Sequence, residues 1–144
     1  MIRAISTTEL EQLFPLCDGF SASSSFVSYK KQIFLRTWYH LIETGLGLIL
    51  VSVKNARFTG MIGGMRAPDP NTGELVATEF FWFVDPNHRG EGIQLLDEFE
   101  AWAKDEGCKK IIMVYLLDST PDKVRRVYER RGYKPVEVHY IKEI

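Results

Sequence analysis

Hydrophobic positions recur along the chain with two periods, and each change of period marks a predicted element. Nonpolar residues repeated every three or four positions predict amphipathic helices, whereas alternating or continuous apolar runs predict strands. An opening strand is predicted at 1–6, a first helix from Ser6 to about Gly19, and a second helix over 28–44. Ser6 and Glu9 have the spacing of a capping box at the start of the first helix.

The remainder of the chain alternates between strands and helices after a polar loop at 20–25. Strands are predicted at 46–54, 57–67, 74–84, 109–117 and 133–144, and helices at 90–106 and 119–132. The run 80–84 is apolar on both faces, which is typical of a central strand. The strand–helix–strand unit from 74 to 117 predicts a right-handed crossover to a parallel neighbour. We therefore expect an α/β fold with the order β-α-α-β-β-β-α-β-α-β, a mixed, mostly antiparallel sheet and helices on both faces, in one domain over 1–144.

Composition changes this picture little and argues against several function classes. Of the 144 residues, 45% are hydrophobic and 26% are charged, and the formal net charge is −1; these values are typical of a globular domain and give no basic excess for nucleic acid. Cys17 and Cys108 are far apart, and the three histidines lack metal-ligand spacing. No apolar run approaches the roughly 20 residues of a membrane span. With two unpaired cysteines and no signal peptide, we expect a soluble cytoplasmic protein without a metal, nucleic acid or membrane partner.

The turn Arg89-Gly90-Glu91-Gly92 is the strongest candidate for a binding site. It lies between a predicted strand and a predicted helix, where free N–H groups and the helix dipole favour an anion, phosphates above all. The two glycines leave the amides open to a ligand, and Arg89 adds a planar cationic donor. A dinucleotide fingerprint would need a glycine at Leu95, and a P-loop would need Gly-Lys-Ser/Thr. What remains is an R-x-x-G-x-G/A turn of the kind that binds the pyrophosphate of coenzyme A.

Two segments resemble the signatures of the GNAT superfamily of N-acetyltransferases. "VDPNHRGEGIQLLDEFEAWAKDEG" is similar to their pyrophosphate motif, and "VRRVYERRGYKPVE" is similar to their second signature, a tyrosine followed by a charged residue and a Gly-aromatic pair. The predicted element order is also the GNAT order, and the compact ending is similar to that of short stand-alone proteins of bacteria and their phages. The chain departs from the pattern at Gln94, where the family prefers Gly or Ala, and near Pro121, where the family often has Asn.

The resemblance implies an acetyl-CoA-dependent N-acetyltransferase that transfers an acetyl group to a primary amine by direct attack on the thioester, without a metal. It also implies that the turn binds the pyrophosphate, and that a splayed strand at Phe83–Val84 offers backbone amides to the pantetheine arm and the thioester oxygen. The implied cofactor-binding residues are Phe83, Val84, Arg89, Gly90, Glu91, Gly92, Ile93 and Gln94.

Tyr128 matches the tyrosine of the second signature, which implies that its hydroxyl is the general acid for the departing thiolate. A phenol with a pKa of ~10 suits a thiolate of similar basicity. Because Val124 and Val127 share its helical face, packing in the core is the alternative role.

Glu79 is the candidate general base, since the family often uses a glutamate on this strand to take the proton from the amine, directly or through water. In a regular strand Glu79 would point to the same side as Phe81 and Phe83. Glu74 and Glu137 are weaker substitutes for this role.

Gln94, the absent asparagine and the uncertain base support a second hypothesis. The chain would then be a catalytically weak or inactive GNAT-fold binding or structural protein, as a component of a larger assembly. Whether the turn 89–94 accepts a coenzyme A pyrophosphate decides between the two. The sequence favours no particular amine acceptor, whether small molecule or protein, and the resemblance adds a homodimer as a candidate state.

Overall fold

The computed structural model describes residues 1–144, which contain five strands in one sheet and four α-helices. The strands are β1 (Ile2–Ala4), β2 (Gly47–Lys54), β3 (Arg57–Pro68), β4 (Leu75–Val84) and β5 (Lys110–Ile112). The helices are α1 (Phe14–Ser23), α2 (Lys31–Glu43), α3 (Gly92–Asp105) and α4 (Asp122–Arg130), with two 3₁₀ helices at Thr7–Leu13 and Pro86–His88. Residues 1–114 form one compact unit and residues 115–144 form a second. None of the helices has the length and apolar content needed to cross a bilayer.

The sheet has the order β1-β2-β3-β4-β5 and is mixed, as the sequence predicts. The first four strands pair antiparallel with their neighbours, and only β4 and β5 run parallel. The connection from β4 through α3 to β5 is the predicted crossover. The α/β fold class and the mostly antiparallel sheet are therefore confirmed.

Strand side chains alternate between two cores, one on each face of the sheet. Ile49, Val51 and Met61 belong to the core that α1 and α2 cover. Leu50 and Ile62, the intervening residues, belong to the core that α3 covers. Successive side chains of β2 and β3 point to opposite faces, so both faces of the sheet are apolar and each is covered by helices.

A bulge interrupts the pairing of β3 with β4 at two consecutive glycines. Gly63 is opposite Phe81 and Gly64 is opposite Glu79, so Phe80 has no cross-strand partner. The Phe81 ring lies directly over Gly63 on one face of the sheet, and the Phe99 ring lies over Gly64 on the other. Both rings approach so closely that no Cβ fits at either glycine, which is the usual meaning of glycine inside a strand.

The first predicted helix is divided into two parts. A 3₁₀ helix occupies Thr7–Leu13, and the α-helix begins only at Phe14. Pro15 explains the division, because proline lacks the N–H that an α-helix interior requires and fits only the first turn. Glu9 accepts a hydrogen bond from the Ser6 backbone N–H at 2.9 Å, as the capping box predicts. The loop predicted at 20–25 is wrong in its first four residues, since α1 continues to Ser23.

The strands predicted at 109–117 and 133–144 do not form as expected. The first is reduced to Lys110–Ile112, and residues 133–144 adopt no regular secondary structure. The alternating apolar side chains of the final segment are exposed, with Tyr140 at 96% and Val136 at 82%. An alternating pattern gives only a propensity, and a strand forms where a neighbour supplies backbone partners.

Replacing Gly64 with alanine should destabilise the fold by about 1–3 kcal/mol, the usual range for overpacking a filled core. The added Cβ would collide with the backbone oxygen of Thr78 and lie 2.7 Å from the Phe99 ring. Gly92→Ala is the matched control, because its Cβ would meet nothing closer than 3.6 Å. Urea unfolding of both variants measures the difference, and equal free energies of unfolding would contradict the close packing described at Gly64.

Candidate active site

Strands β4 and β5 pair over only three residues and then separate. Their ladder runs from Val76↔Lys110 to Thr78↔Ile112, whereas the pairing of β4 with β3 continues as far as Val84. From residue 79 onward β4 therefore has a strand neighbour on one side only. On the other side no strand pairs with β4 beyond Thr78, and such a gap between strands is the main requirement for a site that binds an extended molecule between them. This split includes Phe83 and Val84 but begins earlier, at Glu79.

Glu79 is buried at the start of the split, with 4% of its surface exposed. The prediction that it faces the same side as Phe81 is wrong, because the bulge at Phe80 shifts the alternation by one residue. Its cross-strand partner Gly64 faces the α3 core, so Glu79 also points to the α3 side. Burial raises the pKa of the Glu79 carboxyl to about 8, although a hydrogen bond from the Val114 backbone acts in the opposite direction.

The predicted phosphate turn follows β4 directly. Gly90 has a φ of +116°, in the region that favours glycine, and has no other atom within 4 Å of the position of a Cβ. Helix α3 begins at Gly92, and the Leu95 N–H is the first to bond within the helix, to the Glu91 carbonyl at 3.1 Å. The amides of 92–94 therefore have no acceptor inside the helix. Arg89 is exposed beside them.

The Glu91 side chain connects the turn to strand β3 of the sheet. Its Oε2 accepts a hydrogen bond from the Thr59 hydroxyl at 3.0 Å, and that hydroxyl lies 3.0 Å from the Ser52 hydroxyl. Burial opposes ionisation of Glu91, but the Ser52 and Thr59 hydroxyls, together with the positive charges of the N-terminus and Lys54, outweigh it and hold the pKa of Glu91 below its usual value. The carboxylate thus faces the sheet, and only the backbone of Glu91 lies on the side of the helix N-terminus.

The other predicted cofactor residues fall into two groups. Phe83 packs against Phe20 of α1, with ring centroids 5.9 Å apart, and Val84 packs in the α3 core. Ile93 and Gln94 are exposed on the first turn of α3.

Tyr128 lies in the unit 115–144, on α4, and is buried. Its ring centroid is 5.5 Å from that of Tyr133, and its carbonyl accepts a hydrogen bond from the Tyr133 N–H at 2.9 Å. Gly132, with a φ of +87°, ends the helix between these two tyrosines. The Gly-aromatic pair of the second signature thus packs against its own tyrosine.

An aromatic cavity of about 410 Å³ lies between α1, α2 and the sheet, and sequence reasoning did not predict it. Its walls include Phe34 and Trp38 of α2, and its floor includes Phe80 and Phe81 of β4. The Gly63-Gly64 pair was the one sequence signal for it, since a bulge there turns both phenylalanines to the same side.

The structure assembles most of the predicted residues in one unit. A mixed sheet that splits at its parallel pair, followed by a free helix N-terminus, defines the class of acyl-CoA transferase folds expected from the sequence. The model of the acetyltransferase (GNAT) family matches residues 8–133. The chain therefore belongs to the GNAT acetyltransferase family, which confirms the N-acetyltransferase prediction at the level of the family. No curated protein matches the sequence.

Solved structures of acetyltransferases are similar to this chain over almost its whole length. A ribosomal-protein-alanine N-acetyltransferase from Brucella melitensis biovar Abortus 2308 has a TM-score of 0.75 at 18% identity, covering 100% of this chain and 99% of its own. A predicted acetyltransferase from Clostridium acetobutylicum, solved with acetyl-CoA, has a TM-score of 0.79 at 15% identity, with coverage of 99% and 95%. An aminoglycoside N-acetyltransferase in complex with CoA has a TM-score of 0.79 at 16% identity, with coverage of 100% and 93%. At these identities the similarity establishes the fold.

Glu79→Gln should change how stability depends on pH. In the folded chain the pKa of Glu79 is about 8, whereas the reference value for this carboxyl, which we take for the unfolded chain, is 4.5. Between these values the folded state binds the extra proton, so the free energy of unfolding falls as pH rises. The slope approaches about 1.4 kcal/mol per pH unit at most. Urea unfolding from about pH 5 to about pH 8 should show a shallower decline in Glu79→Gln.

The exposed residue Glu98 provides the control for this experiment. Glu98→Gln should keep the slope of the unmodified protein, since no burial opposes its charge. Equal slopes in all three proteins would show that Glu79 titrates like an exposed carboxyl.

Proposed function

We propose that the protein is an acetyl-CoA-dependent N-acetyltransferase that transfers the acetyl group to a primary amine by direct attack on the thioester. The main support is the coincidence, within residues 1–114, of the open edge of β4 and the free amides of α3. The first suits an extended arm with a thioester, and the second suits a pyrophosphate. Family membership supports the same cofactor.

The residues of the turn fit a pyrophosphate in three respects. Gly90 leaves open space where any other residue would place a Cβ. The amides of 92–94 offer donors at the positive end of a 14-residue helix. Arg89 adds a charged donor, and the Glu91 carboxylate is turned away towards Thr59, so it does not repel the anion.

In the proposed reaction the amine nitrogen attacks the thioester carbonyl carbon, the C–N bond forms and the C–S bond breaks. Glu79, at the start of the split, takes the proton from the amine in its ionised form, directly or through water. Its raised pKa makes that form a stronger base than an ordinary carboxylate, and it also makes that form the minor one near neutral pH. The backbone amide of Val84, which faces the unpaired side of β4, stabilises the negative charge on the carbonyl oxygen, whereas the amide of Phe83 faces Met61 of β3. Tyr128 donates its proton to the departing thiolate. Acetyl-CoA supplies the activated acetyl group.

The non-catalytic alternative has little structural support. It rested on Gln94, on a missing asparagine and on an uncertain base. Glu79 has the burial and raised pKa that are typical of a functional carboxyl, and the family model matches residues 8–133.

Arg89→Glu should weaken acetyl-CoA binding by about tenfold or more, since a charged donor to a phosphate is lost and a repulsive charge is added. Isothermal titration calorimetry measures the affinity, with a single site expected in the unmodified protein. Arg36→Glu is the control, because Arg36 is exposed on α2. An unmodified protein without acetyl-CoA affinity would refute the proposed function, and equal affinities in the two variants would refute the role of Arg89.

Tyr128→Phe should lower kcat by about 10²- to 10⁴-fold while the affinity for acetyl-CoA changes little, because only the proton donor is removed. The phenylalanine ring retains the packing against Tyr133. Release of free thiol during acetyl transfer measures kcat. Tyr140→Phe, at an exposed tyrosine, should be neutral, and an equal kcat in both variants would assign the acid role elsewhere.

A further inference from the structure

The aromatic cavity is an apolar space in residues 1–114 that the proposed cofactor does not use. Its volume, about 410 Å³, is within the usual range for a small-molecule site. It is lined by Cys17 and Phe20 of α1, by the loop 27–29, by α2, and by Met61, Met65 and the two phenylalanines of the β4 bulge. The lining is almost wholly apolar, with Ser28, Tyr29 and Thr37 as its polar members.

In this cavity the Trp38 ring stands at a steep angle to the two phenylalanines of the floor. The Trp38 and Phe81 rings are 5.2 Å apart at an interplanar angle of 68°, and the Trp38 and Phe80 rings are 6.2 Å apart at 75°. Such edge-to-face arrangements present ring faces and ring edges to the same space, and they favour another aromatic ring over an aliphatic chain.

No charged side chain lines the cavity. Asp18, which lies nearby in α1, accepts a hydrogen bond from the Tyr29 hydroxyl. An occupant with several ammonium groups would have to bury charge without a partner, which is strongly unfavourable. The cavity therefore disfavours polyamines and aminosugars and accommodates a molecule whose single amino group lies at one end.

The position of the cavity indicates that the amino group lies towards the split between β4 and β5. Phe80 forms part of its floor and directly follows Glu79 in β4, at the residue where β4 and β5 stop pairing. The cavity thus borders the split from the face of the sheet covered by α1 and α2. The phosphate turn belongs to α3, which covers the opposite face.

We propose that this cavity binds the ring of an arylalkylamine, a small molecule with one or two aromatic rings and a primary amino group on a short chain. The ring packs among Phe34, Trp38 and Phe81, and the chain directs the amino group past Phe80 towards the split. That this amine is also the acetyl acceptor rests on the proposed function; binding of the ring depends only on the cavity.

Calorimetry with 2-phenylethylamine tests the binding directly, without acetyl-CoA and without turnover. Its affinity should exceed that of n-propylamine, which lacks the ring, and that of spermidine by about ten- to a hundredfold, the usual effect of burying a phenyl group. An affinity for 2-phenylethylamine no higher than for n-propylamine or spermidine would overturn the proposal.

Two adjacent residues of α2 give a matched pair of variants. Thr37 lines the cavity and Arg36 does not, and both are exposed. Thr37→Phe should fill the space and abolish most of the affinity for 2-phenylethylamine, while Arg36→Phe should leave it unchanged. Ser28→Phe fills the cavity from the loop and provides a second test if Thr37→Phe does not fold. Undiminished binding in a folded filling variant would overturn the proposal.

An assay of turnover, which measures the thiol released from acetyl-CoA, then tests this inference and the proposed function separately. Turnover with 2-phenylethylamine that exceeds turnover with spermidine supports both. Turnover with spermidine or an aminoglycoside, but not with 2-phenylethylamine, retains the proposed function and overturns the inference for the acceptor. Binding of 2-phenylethylamine that Thr37→Phe abolishes, in a protein without acetyl-CoA affinity, supports the cavity and refutes the proposed function.

Discussion

The separation of β4 from β5 after Thr78 is the constraint on which the candidate site depends. A strand that loses its neighbour leaves polar backbone groups exposed, so the chain must compensate with the packing on its other side. The bulge at Phe80 lies next to this point, where it keeps β4 paired with β3 and turns Phe80 and Phe81 towards α2. The orientation of Glu79 and the floor of the aromatic cavity follow from this bulge, and the split beside them follows from the end of the β4–β5 ladder.

Two glutamates near the site have opposite environments. Glu79 is enclosed by apolar side chains and accepts from the Val114 backbone, so burial dominates and its pKa rises to about 8. Glu91 lies above the Ser52 and Thr59 hydroxyls, and these donors hold its pKa below the usual value. The same type of side chain is therefore proposed as a proton acceptor in one place and is an ionised anchor of the turn in the other, because environment assigns different roles to carboxylates.

Sequence reasoning identified what depends on local chemistry and missed what depends on partners distant in the chain. The glycine turn and the crossover follow from residues next to one another, and both are present. The orientation predicted for Glu79 was wrong because it assumed the two-residue alternation of a regular strand. The bulge at Phe80 reverses this alternation between Glu79 and the residues that follow it. The final strand was wrong because alternation at 133–144 gives no information about a pairing partner. The cavity joins residues as distant as Cys17 and Phe81, so no single segment could indicate it.

In the two proposals, the two faces of the sheet recognise different kinds of ligand. On the α3 face the free amides and Arg89 select for negative charge, and the Glu91–Thr59 contact fixes the turn that presents them. On the other face the cavity has rings and no charge, so shape and desolvation must provide its selectivity. A ligand on one face can reach a ligand on the other only where the sheet is open, beside Glu79. In the proposed reaction the amine and the thioester would therefore meet at the split, beside Glu79, the carboxyl whose pKa burial raises to about 8.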